Sequence, residues 1–350
     1  MVNLVLTASL ALFAPAFVVP VAGNPVSERA MVLDGYTLFN LSLSMFDPVI
    51  SRSGTTNRPP PTPGSQYEGT PSLQFSQPPG GVSVLLFGTG VHWYGNASDG
   101  TQVEWGMSKS PVVYSHTGPP RDSDWGVSSS AIFANATLES TSAQTSRADF
   151  GFFHAEWRLH SNGTGDGEES AAVPGSAELT RVVVETGLET EADSFESTPS
   201  TTQAVVDASG EKNDFFRTIG DPKFLDTLGT SPSGGKQRSY PRLVLEGSHQ
   251  MINFAVPAKT SFMVIKGAVS ASGGAYGVEV SPNIQPKDWS PNSDTLPSTW
   301  SLNSSCPWEF EATMFYMPLD PDTIYSVSVK PDATTNGSVA IQGVTFYSSV

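Results

Sequence analysis

Residues 82–95 read VSVLLFGTGVHWYG, and the prediction of the fold starts from this stretch. Two runs rich in β-branched and aromatic residues flank the turn at Gly88 and Gly90. Apolar residues recur at every second position of the second run, which is the period of a strand with one buried face. No helical pattern follows the two glycines, so the turn is not a phosphate-binding loop. The stretch therefore predicts two strands joined by a tight turn.

The same period of two, with Gly, Pro, Asn and Ser clusters between the runs, continues along the chain. Strands are predicted at 82–87, 91–94, 101–105, 152–159, 179–186 and 202–208, and in a second series at 250–256, 261–266, 276–280, 310–317, 324–330 and 339–347. The chain is therefore predicted to be all-β.

The two series have a similar order, which predicts two tandem antiparallel β-sandwich domains, at 24–208 and 209–350. The matching segments are 82–87 with 262–265, 103–105 with 278–280, 152–157 with 314–317, and 181–184 with 325–329. The first copy is expected to carry long Pro-rich or Ser- and Gly-rich loops at 58–81, 108–147 and 161–177. A turn of helix is expected within 214–228.

The N-terminus predicts export. Residues 2–23 contain no charged side chain, and 4–21 form an apolar run that prolines interrupt. We interpret 1–23 as a signal peptide cut before Asn24; a buried N-terminal strand or a retained anchor helix is the alternative. No later stretch is apolar enough for a membrane span, and we expect an extracellular or cell-surface location.

Net charge, cysteine content and glycosylation motifs bound the function further. The formal net charge of −16 argues against binding to nucleic acid or to an anionic membrane surface, since both need a basic patch. The single cysteine, Cys306, rules out an internal disulfide, and we expect it to be either a buried apolar residue or a free thiol. Glycosylation is predicted at six Asn-x-Ser/Thr sites: Asn40, Asn96, Asn135, Asn162, Asn303 and Asn336.

Residues 84–95 resemble the strand-turn-strand of a family of uncharacterised cell-surface or secreted proteins of mushroom-forming fungi. Members of that family have tandem galactose-binding-like jelly-roll ectodomains. In the second copy, 267–269, 274–278 and the closing strand 344–347 echo the pattern. The resemblance implies a jelly-roll fold for each copy and a surface location, and it supplies no catalytic residue.

No catalytic, metal or cofactor site is predicted. A serine hydrolase would need a Gly-x-Ser-x-Gly elbow before a helix, and that context is missing. The five histidines lack ligand spacing, and the many carboxylates lack a spacing that selects the pair needed by a glycosidase.

Aromatic side chains are the best candidates for binding, because a sugar ring stacks on an aromatic face. Alternation in the strand turns Trp93 inward and leaves His92 and Tyr94 outward. Trp125 and Trp289 lie in polar segments, and most other aromatics are expected in the core.

The sequence thus predicts a non-enzymatic secreted or cell-surface glycoprotein that binds glycans or cell-wall polymers. Two alternatives stay open: a structural ectodomain without a small ligand, and a hydrolase of polysaccharides.

Overall fold

A computed structural model gives the arrangement of most of the predicted strands. It describes residues 32–33, 36–53, 72–76, 80–98, 101–109, 128–132, 141–144, 151–159, 176–189, 200–206, 215–229, 238–283 and 298–348. Every regular element in these ranges is a strand, which confirms the all-β prediction. The predicted signal peptide lies outside the described residues. No described segment forms a helix long and apolar enough to cross a membrane.

The first half of the chain forms two antiparallel sheets. Sheet A contains β1 (Val32–Leu33), β2 (Tyr36–Ser44), β4 (Leu73–Phe75), β6 (Gly90–Ala97), β9 (Thr141–Gln144) and β11 (Ala177–Glu189). Sheet B contains β3 (Ile50–Ser53), β5 (Gly81–Gly88), β7 (Gln102–Lys109), β8 (Ser128–Ile132) and β10 (Gly151–Leu159).

The second half forms two more antiparallel sheets. Sheet C contains β12 (Ser200–Val205), β14 (Lys223–Gly229), β15 (Arg238–Glu246), β17 (Thr260–Val269), β20 (Phe310–Pro318) and β22 (Ser338–Ser348). Sheet D contains β13 (Arg217–Ile219), β16 (Met251–Ala255), β18 (Ala275–Ser281), β19 (Thr299–Asn303) and β21 (Ser326–Pro331).

The two halves repeat one strand order. Sheet A runs β2-β11-β6-β9 and sheet C runs β15-β22-β17-β20, while sheet B contains β5-β10-β7-β8 and sheet D contains β16-β21-β18-β19. Eight strands of the first half therefore have equivalents in the same chain order: β2, β5, β6, β7, β8, β9, β10 and β11. This order pairs β5 with β16, β10 with β21 and β11 with β22. The sequence comparison instead matched β5 with β17, β10 with β20 and β11 with β21, so each of these three matches was wrong by one strand. The error arose because apolar strands of similar composition follow one another along the chain.

A matching irregularity supports this equivalence. In sheet A, β11 has one extra residue, Thr180, opposite Gly95 of β6. In sheet C, β22 has an extra residue opposite Gly267 of β17. A Cβ on Gly95 would lie 1.9 Å from the Glu178 carbonyl oxygen, and one on Gly267 would lie 2.0 Å from the Ala340 carbonyl oxygen. Only glycine fits at either bulge, because no real Cβ approaches an atom so closely.

All twelve predicted strands occur, and two of the expected loops and the expected turn of helix need correction. Loop 58–81 contains β4, and loop 108–147 contains β8 and β9. Within 214–228, the described residues 215–228 contain β13 and most of β14, and no turn of helix occurs among them. The strand predicted at 202–208, placed at the end of the first domain, pairs as β12 with β22 of the second half. The domain limits 24–208 and 209–350 stay predictions.

The sheets of each half pack face to face through aromatic side chains. Phe75 of sheet A lies 5.4 Å from Trp157 of sheet B, and Phe346 of sheet C lies 6.2 Å from Phe254 of sheet D, between ring centroids. Alternating residues of β5, β6 and β18 are buried. Packing of this kind stabilises the chain without any disulfide, and Cys306 itself is only 1 % exposed.

The two halves also contact each other. The Phe39 ring lies edge-on to Phe262 at 5.4 Å and stacks on Tyr347 at 5.0 Å. The Tyr316 hydroxyl donates a hydrogen bond to the Leu85 carbonyl oxygen. Buried apolar side chains of both halves form one continuous cluster, so the halves share part of their core.

Candidate functional site

The strand β6 presents one polar face to the outside. Trp93 is fully buried, whereas His92 and Tyr94 are half-buried and Asn96 is exposed. Alternation along the strand places these last three side chains on the same outward face of sheet A. His92 and Tyr94 therefore point outward in the structure, as predicted.

The neighbouring strand β11 completes this surface. Arg181 pairs with Tyr94, Val183 with His92 and Glu185 with Gly90. The Arg181 guanidinium carbon lies 4.2 Å from the centroid of the Tyr94 ring, which is a cation–π contact. We call the surface formed by His92, Tyr94, Asn96 and the outward side chains of β11 the β6–β11 face.

Local backbone geometry fixes the pair of Tyr94 and Arg181. The bulge at Thr180 shifts the register just before Arg181, and the Thr180 hydroxyl donates to the Tyr94 carbonyl oxygen at 3.2 Å. At the other end, a Cβ on Gly88 would lie 1.9 Å from the Glu185 carbonyl oxygen. Gly88 ends β5 of sheet B, so this second close contact is made by the turn that leads into β6 rather than by β6 itself.

Two carboxylates of β11 are held by hydroxyl donors. The Ser72 hydroxyl donates to Glu178, and the Thr89 hydroxyl donates to Glu185 Oε2 at 2.6 Å. Each carboxylate keeps further acceptor sites beyond this one bond. An aromatic ring, a planar guanidinium and fixed acceptors are the groups that stack on a sugar ring and bind its hydroxyls.

The other predicted binding residues fall elsewhere. Trp125 and Trp289 lie outside the described residues. Four further tryptophans are buried, as expected for core residues: Trp93, Trp157, Trp300 and Trp308. Sequence reasoning missed Arg181, because only the register between β6 and β11 brings it beside Tyr94.

The predicted glycosylation sites divide in the same way. Asn135 and Asn162 lie outside the described residues. Asn96, Asn303 and Asn336 are exposed, and Asn40 is half-buried in β2. Asn303 accepts a hydrogen bond from the Ser305 backbone N–H at 2.9 Å. Of these four, only Asn96 is both exposed and on the outward side of β6.

The equivalent face of the second half is an internal interface. Counting from the two bulges, His92 corresponds to Val264, Tyr94 to Lys266 and Glu185 to Tyr347. Phe39 of the first half stacks on Tyr347. This face of sheet C is therefore covered by another part of the chain.

A buried ionisable cluster lies at this interface. Asp47 is 2 % exposed, and its Oδ1 has no hydrogen-bond partner among the described residues. Burial raises the pKa of Asp47 to about 7, against the opposing effects of Lys266 and of hydrogen bonds from Thr313. Lys266 Nζ donates to Thr313 Oγ1 at 2.7 Å. In the part of the chain that the structure describes, no group of three metal-ligating side chains occurs.

Comparisons with known proteins add little. No protein-family model matches the chain, and no curated protein matches it. Among solved structures, it is similar to the CBM22-1–CBM22-2 tandem domain of Paenibacillus barcinonensis Xyn10C, with 10 % identity, a TM-score of 0.26 and coverage of 88 % of this chain and 97 % of that one. An exo-β-1,3-galactanase of Phanerochaete chrysosporium gives 9 % identity, a TM-score of 0.28, and coverage of 56 % of this chain and 38 % of that one. An Arthrobacter globiformis isomalto-dextranase gives 13 % identity, a TM-score of 0.26, and coverage of 79 % of this chain and 36 % of that one. These TM-scores are too low to transfer a fold or a ligand to this chain.

Proposed function

We propose that this protein is a non-enzymatic, secreted or cell-surface glycoprotein that binds carbohydrate on the β6–β11 face. The main support for the proposal is the contact of 4.2 Å between the Arg181 guanidinium carbon and the centroid of the Tyr94 ring on the outward surface of sheet A. The ligand is a glycan or a cell-wall polymer. Each half is proposed to be a jelly-roll sandwich of the galactose-binding-like type, with the binding face in the first.

The chemistry of the face supports a sugar more than a peptide or an anion. Because the Arg181 guanidinium covers one face of the Tyr94 ring, the rest of the ring is the apolar surface for pyranose C–H groups, while Arg181, Glu178 and Glu185 supply donors and acceptors for hydroxyls. The carboxylates of Glu178 and Glu185 on the same strand oppose the binding of a phosphate or another strongly anionic ligand.

A glycan array tests the proposal with the purified secreted chain. We expect binding to a subset of neutral glycans, and a loss of that binding in Arg181→Ala. The matched control is Arg217→Ala, since Arg217 is an exposed arginine of β13 in the second half. An array without any binding, together with none to whole wall polymers, would overturn the proposal.

A separate assay tests the absence of catalysis. The chain is incubated with wall polysaccharides and the released reducing ends are measured. We expect no release above that of heat-denatured protein; release that depends on Glu178 or Glu185 would make the protein a hydrolase.

A protein-docking role is the second candidate, because the equivalent face of sheet C is covered by another part of the protein. In that case the chain is a structural ectodomain. Retention of a surface protein by the native chain and not by Arg181→Ala, without any glycan binding, would favour this role.

A further inference from the structure

The predicted glycosylation site at Asn96 lies on the proposed binding face itself. Asn96 is exposed and follows Tyr94 by two positions in β6, so both side chains point outward. Two residues of a strand span about 7 Å. A sugar attached to Asn96 would therefore begin next to the Tyr94 and Arg181 pair.

Asn96 lies near the end of the strand pair, on the surface that β6 and β11 share. Ala97 is buried behind Asn96, and Glu178 stands opposite it in β11. The Glu178 carboxylate accepts a hydrogen bond from Ser72 and is held in place. Beyond Asn96, the Ser98 backbone N–H and hydroxyl bond to Ser176, which closes the end of the strand pair. An attached glycan therefore starts at one end of the β6–β11 face, two residues from Tyr94.

The other described sites do not share this position. Asn40 of β2 pairs with Glu185 and so shares this outward surface, but it is half-buried and stands four residues along β11 from Arg181. Asn303 ends β19 in sheet D, and Asn336 lies in the turn before β22. Asn96 is the exposed sequon among the described residues that adjoins the stacking pair.

We propose that the N-glycan on Asn96 is an intramolecular competitor that covers the Tyr94 and Arg181 pair and sets how strongly the face binds free carbohydrate. The inference rests on the proposed function. A sugar tethered this closely has an effective concentration in the millimolar range, so it competes with ligands that bind the face weakly. Removal of the glycan is then a means of exposing the site.

The first test compares Asn96→Gln with the native chain, both secreted by the same eukaryotic host. Peptide mass spectrometry establishes whether Asn96 carries a glycan. We expect occupancy, and a gain in affinity of about two- to ten-fold for the array ligand when the glycan is absent. The matched control, Asn336→Gln, removes a glycan from a different surface and is expected to leave the affinity unchanged.

A second readout needs no ligand, so its failure is distinguishable from failure of the proposed function. Arg181→Cys places a thiol on the face, while Cys306 is buried. We expect a bulky maleimide to label the introduced thiol more slowly when Asn96 is glycosylated than when Asn96→Gln is added. Equal labelling rates, or an Asn96 without glycan in the secreted protein, would overturn the inference whether or not the protein binds carbohydrate.

Discussion

At the scale of single residues, Asp47 makes the stability of the molecule depend on pH. Its neighbours are Ser44 and Arg52 of its own half and Lys266 and Thr313 of the other. Burial raises its pKa from the ordinary 3.8 to about 7. Between pH 3.8 and about pH 7, Asp47 keeps its proton in the folded chain and has lost it in the unfolded chain. The contribution of Asp47 to stability is therefore greatest at acid pH and is lost as the pH rises through 7.

We predict that Asp47→Asn removes this part of the pH dependence, because an amide does not titrate. The free energy of unfolding is measured with urea at pH 4 and at pH 8. The native chain should lose more stability between the two pH values than the variant. Asp221→Asn, which changes an exposed carboxyl group, is the control and should behave like the native chain. An identical loss in Asp47→Asn would contradict the assignment.

At the scale of elements, the pairing of β6 with β11 is the feature that forms the β6–β11 face. Gly95 permits the bulge that places Arg181 beside Tyr94. We predict that Gly95→Ala destabilises the fold by about 3 kcal/mol, because overpacking against backbone cannot be relieved by a rotamer change. Denaturant unfolding measures the loss.

A second glycine provides the control for this substitution. A Cβ on Gly277 of β18 would have its nearest neighbour at 3.9 Å, which is an ordinary contact. Gly277→Ala should therefore leave stability nearly unchanged. If both variants unfold at the same denaturant concentration as the native chain, the close backbone contact at Gly95 does not determine the geometry of the β6–β11 face.

Elements also mark the limit of what the sequence predicts. Alternation in 82–95 is a local signal, and it correctly gave β5, β6, the buried Trp93 and the outward Tyr94. The placement of β12 beside β22 depends on pairing between residues more than a hundred positions apart. The partnership of Arg181 with Tyr94 likewise depends on register and on a one-residue bulge. Neither pairing can be deduced from the periodicity of the sequence. Sequence analysis therefore identified Tyr94 of the candidate site and missed Arg181.

At the scale of the whole molecule, the shared core predicts that the two halves unfold together. We expect one cooperative thermal transition for the native chain. Phe39→Ala removes the ring that packs on Phe262 and Tyr347, and should cost about 2 kcal/mol, below the value for a fully buried phenylalanine because Phe39 is half-buried. The loss should broaden or split the transition in scanning calorimetry.

The control for this prediction is Phe224→Ala. Phe224 is also half-buried, but it lies in β14, which pairs with β15 inside the second half. This variant should unfold at a lower temperature in a single transition. If Phe39→Ala also keeps a single sharp transition, the contact between the halves does not couple their unfolding.

The central claim, that the Tyr94 ring on the β6–β11 face binds carbohydrate, is tested most directly by titration calorimetry with the glycan found on the array. Tyr94→Phe keeps the ring and the stacked Arg181, whereas Tyr94→Ala removes the ring. We predict that Tyr94→Phe binds within about two-fold of the native chain and that Tyr94→Ala binds at least about ten-fold more weakly, a difference of about 1.4 kcal/mol. Native affinity in a folded Tyr94→Ala would contradict the claim.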